Sequence, residues 1–151
     1  MKSFKLLFAA ALVLALSVFT ACDPSETTAT NKVTIKGETY TIEHAMYMAA
    51  DQASPNGMPY RFDIDCKGGD PHGYGDIVYP GEPVDLSKDA IYYIGFNFNG
   101  GGFYGPEFKS GKLTIAEAGG GDIIINIDAI DQDGDKFVLS ALFQSEIDLE
   151  K

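Results

Sequence analysis

Tryptophan is absent from the chain, arginine occurs once, at position 61, and cysteine and histidine occur twice each. The scarcity of arginine, and that of cysteine and histidine, removes classes of function. With one Arg and no basic run after residue 5, nothing is available to neutralise a row of phosphates, and 22 acids against 11 bases oppose nucleic acid as a whole. No G-x-S-x-G, no H-E-x-x-H and no paired Cys motif occurs, so serine-type and zinc-type enzymes lack their parts. The longest uncharged apolar run, residues 6–21, has 16 residues. A membrane-spanning helix needs about 20. What is present, 45% hydrophobic and 22% charged residues over 151 positions, is the composition of one folded globular domain.

That run explains the start of the chain. Lys2 and Lys5 precede it, Thr20-Ala21-Cys22 closes it, and the first acid is Asp23, the layout of a cleaved secretory signal. Phe19-Thr20-Ala21-Cys22 resembles the lipobox of bacterial lipoproteins, with Phe19 where that family usually has Leu. The resemblance implies that Cys22 is acylated and becomes the mature N-terminus. Residues 1–21 then form the signal peptide and residues 22–32 a lipidated polar tether, long enough when extended to hold a domain about 30 Å from the membrane. The mature part carries 9 bases and 22 acids. Anionic lipid repels such a body, so attachment rests on the acyl chains.

From Val33 the dominant period is two, and residues 33–151 read as one domain. Residues 61–67 alternate Phe62, Ile64 and Cys66 against Arg61, Asp63, Asp65 and Lys67, a strand with one wet face. Leu113 with Ile115, then Ile123, Ile125, Ile127 and Ala129, then Phe137, Leu139, Ala141 and Phe143 make three more inward sets. Residues 90–98 are apolar on both faces, which predicts a central strand. Lys36-Gly37 and Asp133-Gly134 are hairpin signals, and Gly119-Gly120-Gly121 links two strands. Residues 43–53 suit strand or helix and are read as a strand continuing from Tyr40, with His44 partly buried in phase with Tyr40 and Ile42. The expected architecture is all-β, an antiparallel β-sandwich or calycin-like barrel of about eight strands.

The lipobox, the polar tether, the Val33-Thr34-Ile35 hairpin, the stretch 108–115 and the Ile-rich hairpin closed by Asp131-Gln132-Asp133-Gly134 together resemble small single-domain lipoproteins of gut anaerobes, mostly without assigned function. This implies a cell-envelope location at the outer membrane and carries over no functional residues.

Several local patterns suggest chemistry and fail on their surroundings. Gly100 to Gly105 spells G-x-G-x-x-G, but Pro106 and a strand pattern follow where the dinucleotide motif needs a helix. Residues 131–135 suggest a calcium loop, yet with Gly134 at the sixth position Ala129 and Ser140 fall where ligands are required. No metal and no cofactor is expected. Cys66 falls on the buried face, where a thiol is inert. There remain two Gly-rich, aromatic-bearing segments read as loops, residues 67–81 and 97–105. Their His72, Tyr74, Phe103 and Tyr104 form the candidate binding edge, since rings outside the alternating pattern keep apolar area exposed. The functional expectation is a membrane-anchored, non-catalytic binding or accessory module for a glycan or protein partner. The alternatives are a barrel carrying a small apolar ligand and an enzyme with an unrecognised site.

Overall fold

Period-two alternation carries through most of residues 28–88 and 92–146, the part that the computed structural model describes. The signal peptide, Cys22, most of the tether, and Ala90 and Ile91 lie outside the described residues. The alternation yields ten strands: β1 (Lys32–Ile35), β2 (Glu38–Ala49), β3 (Met58–Cys66), β4 (His72–Tyr79), β5 (Val84–Asp85), β6 (Tyr92–Phe98), β7 (Gly102–Tyr104), β8 (Phe108–Gly119), β9 (Asp122–Asp131) and β10 (Lys136–Ser145). Two of the extra strands, β5 and β7, have two and three residues, too short for a hydrophobic pattern to reveal.

The strands form one sheet in the order β5-β8-β9-β10-β1-β2-β3-β4-β6-β7, with every neighbouring pair antiparallel. The sheet folds back on itself. Its crease is β2, whose first half pairs with β1 and whose second half pairs with β3, while the end of β10 pairs parallel with β2 at Met46 and Tyr47. An extra residue, Glu43, sits in β2 where the register slips between Ile42 and His44. Such a bulge bends a strand and lets it serve two half-sheets. It also resets the alternation. Ile42, Ala45 and Tyr47 point inward and His44 is exposed, which corrects the expectation that His44 shares a buried phase with Tyr40 and Ile42.

The two ends of the sheet, β5 and β7, are not hydrogen-bonded to each other. The fold is therefore the sandwich alternative, and the closed calycin-like barrel is excluded. Rings from the two half-sheets meet in the middle: Phe62 on Phe143 at 5.4 Å, Phe96 on Phe137 at 5.9 Å and Tyr92 on Phe108 at 5.4 Å between centroids. Residues 43–49 are strand, as expected, and β2 ends at Ala49. β6 is the penultimate strand of its half and not a central one. Its second apolar face is partly open to solvent, with Tyr93 49% exposed.

Residues 67–81 correct the loop expectation. Most of them form β4, in which Gly73, Gly75, Ile77 and Tyr79 point inward. A Cβ on Gly73 would lie 2.4 Å from the Phe96 ring, and one on Gly75 would lie 2.5 Å from both the Phe62 ring and the Tyr93 carbonyl. The core rings take the space that side chains would fill at the first two inward positions of β4, so both are glycine.

Candidate functional site

The outward faces of β2, β3, β4, β6 and β7 can be assembled from the pairing register. His44, Asp65, His72, Asn97 and Phe103 lie in one cross-strand row. The next row is Met46, Asp63, Tyr74 and Gly95, and the third is Met48, Arg61, Asp76 and Tyr93. One face thus holds carboxylates on β3 and aromatic rings on β4, β6 and β7.

The rings converge on Gly95. A Cβ there would sit 2.9 Å from the Phe103 ring and 3.4 Å from that of Tyr74. Glycine on a strand interior marks a close approach, and here the approach is by two aromatic rings laid over the backbone of β6. Gly105 does the same from the other side, its Cβ position lying 2.8 Å from Phe103. Tyr93 tilts against Tyr74 at 5.9 Å, and the ring of His72 stacks on Tyr74 at 6.3 Å. Hydrogen bonding to Tyr74, with a smaller contribution from desolvation, pushes the Tyr93 phenol above its ordinary value. Despite these contacts Phe103 is 57% exposed. Exposed Met46 and Met48 extend the apolar surface on the far side of the β3 carboxylates.

Two polar pairs on the face are already formed. His72 Nδ1 lies 2.8 Å from Asp65 Oδ1, and the Arg61 guanidinium donates to Asp76 at 3.0 Å. A histidine oriented by a carboxylate is half of a nucleophile-activating arrangement. The other half is not beside it among the described residues, where Nε2 faces Asp63 Oδ1 at 3.8 Å. Cys66, at the end of β3, is buried, and desolvation, with Asp65 and Asp70 nearby, pushes its thiol up to about 11. No family model matches this chain, and neither a curated protein nor a solved structure shows significant similarity to it. The chemistry of the site therefore rests on its own residues.

Of the four residues expected at a binding edge, the structure brings His72, Tyr74 and Phe103 together on this face. Tyr104 is a correction. It is 8% exposed and faces inward, stacked on Phe137 at 6.1 Å, with its hydroxyl donating to Asp131 Oδ2 at 2.9 Å. Neighbours on a strand point to opposite faces, so Phe103 and Tyr104 cannot share an exposed edge. Asp131 in turn uses its other oxygen to accept from the Asp135 backbone N–H at 2.8 Å, which gives the acidic hairpin a structural use for its first carboxylate. Gly100 to Gly105 cover the β6–β7 turn and β7 itself, with no helix following among the described residues.

Sequence reasoning missed Tyr93, Gly95, Asp63 and Asp65 as members of the site. The alternation of β3 had placed both acids on the wet face. Their meeting with Tyr74 depended on pairing β3 with β4, which no local pattern reveals. Phe103 also borders a cleft of about 550 Å³ along the open seam of the sandwich, with Lys88, Tyr92, Pro106 and Phe108 on its walls.

Proposed function

We propose that the protein is a lipid-anchored lipoprotein of the cell envelope, held in the outer membrane through Cys22, and that its β domain is a non-catalytic binding or accessory module. The observation that carries the binding part is the cluster of Tyr74, Tyr93 and Phe103 gathered over Gly95 on a solvent-facing sheet. Rings held at this exposure are a contact surface in search of a partner. The setting of His72 and the burial of Cys66 support a non-catalytic role. The packing of Phe62, Phe96, Phe137 and Phe143, each at most 1% exposed, favours a binding surface over a carrier with an internal cavity.

Two measurements test the proposal. A labelled fatty acid supplied during growth should mark the wild type and not Cys22→Ser; equal labelling of both removes the anchor. The double variant Tyr74→Ala/Phe103→Ala should stay folded and melt within several degrees of wild type, since Phe103 is exposed and Tyr74 half-buried on the outer face, away from the core. Global unfolding would instead make the rings a structural lid and remove the binding surface.

A further inference from the structure

Resting on the binding-module reading, we propose that the outer face of β3, β4, β6 and β7 takes an uncharged glycan chain, with Tyr74, Tyr93 and Phe103 stacking on sugar rings and Asp63 and Asp65 accepting hydrogen bonds from sugar hydroxyls. The two halves of the face match the two halves of a pyranose. A sugar ring presents flat patches of C–H that lie against an aromatic ring. Its rim is made of hydroxyl donors, and an ionised carboxylate is an acceptor with room for several. The rings and carboxylates sit side by side at strand spacing. From β3 to β7 the face covers three inter-strand steps, roughly 15 Å, room for an oligosaccharide segment.

Charge selects among glycans. Arg61, the one arginine in the three rows, is already engaged by Asp76, and the Nδ1 of His72 by Asp65. A uronate, sulfate or phosphate group would meet three exposed carboxylates with no free Arg or Lys in the three rows. A protein partner fits less well. Covering these carboxylates with protein would desolvate them, which is costly above all for Asp63, whose nearest partner is His72 Nε2 at 3.8 Å, unless the partner supplies a cation. Sugar hydroxyls and bridging water keep them hydrogen-bonded.

Affinity electrophoresis of the full chain in non-ionic detergent tests this. Gels would contain β-glucan, mannan, xylan or galactan as neutral probes, polygalacturonate or a sulfated glycan as anionic probes, and polylysine would serve separately as a cationic polypeptide probe. At least one neutral polysaccharide should retard the protein while the anionic ones do not. The apparent affinity should fall at least tenfold in Tyr74→Ala/Phe103→Ala, in Tyr93→Ala alone and in Asp63→Ala/Asp65→Ala, with melts close to wild type. Absence of retardation by all four neutral polysaccharides overturns the proposal, as does retardation that survives in the variants or is matched by the anionic probes. If polylysine alone binds, in a way that Tyr74→Ala/Phe103→Ala abolishes, the glycan proposal fails and the binding module stands. If no probe is bound, both fail.

Discussion

Asp131 is 3% exposed and is the one buried charged side chain among the described residues. Burial pushes its carboxyl up, but the Asp135 N–H, the Tyr104 hydroxyl and the N–H groups of Asp133 and Gly134 outweigh that and hold it below the ordinary range. A depressed folded-state value means that ionisation favours the folded state. The contribution is complete above the unfolded value of about 3.9 and is lost as pH falls through the lower, folded value. Asp131→Ala should therefore cost about 2 kcal/mol at neutral pH, because it strands the Tyr104 hydroxyl and a turn N–H. Thermal melts from pH 7 to 2 check this, and the gap to wild type should narrow below about pH 4. Gly75→Ala tests the opposite kind of position. Its methyl group would meet the Phe62 ring and the Tyr93 carbonyl, and overpacking of this sort costs about 1–3 kcal/mol. Urea denaturation should show the loss with an unchanged slope. The burial of Cys66 was readable from alternation because apolar and polar residues mark the two faces. The inward role of Gly73 and Gly75 was not, since glycine carries no side chain to mark a face.

Among the elements, β10 supplies two of the rings that meet the other half-sheet, Phe137 and Phe143. Phe137, fully buried, meets Phe96 at 5.9 Å, Tyr104 at 6.1 Å and Phe108 at 5.3 Å, so three other strands, β6, β7 and β8, converge on one ring. Phe137→Ala should cost about 3–5 kcal/mol, the usual range for a buried aromatic truncated to Ala. Equilibrium unfolding in urea measures it; a cost under 1 kcal/mol would mean that the seam is looser than described. The hairpins at Lys36-Gly37 and Asp133-Gly134 could be read locally because the turn chemistry is local. In the first, Lys36 and Gly37 both have positive φ, 49° and 85°, the geometry that two-residue hairpins use. The bulge at Glu43 could not be read, because an extra residue on one strand is defined only against its partner. It decides which way every later residue of β2 points, His44 first. Apolar residues on both faces of β6 suggested a central strand, whereas the structure makes the outer set, Tyr93 with the rings around Gly95, part of the candidate site.

At the scale of the molecule, a fragment of residues 31–151 should be soluble and give a strand-type circular dichroism spectrum. A helical signal from a quarter of the chain or more, near the average helix share, would refute the class. Asn31 is a sound starting point, since its carbonyl accepts from Ile42 N–H and its side chain from Leu142 N–H, each at 2.9 Å. The all-β class, most strand positions, the two hairpins and the buried face of β3 were all legible in the order of residues, because alternation and turn chemistry act within a few positions of one another. His72, Tyr74 and Phe103 were singled out as rings outside the alternation, in segments read as loops, whereas the structure sets them on the strands β4 and β7. Whether the sheet closed, where β6 lay in it and which rings met over Gly95 were decided by strand pairing between residues far apart in sequence. So was the division of Phe103 from Tyr104: a pleated strand sends neighbours to opposite faces, and only the packed partner, Phe137 with Asp131 on one side and solvent on the other, determines which face is the core.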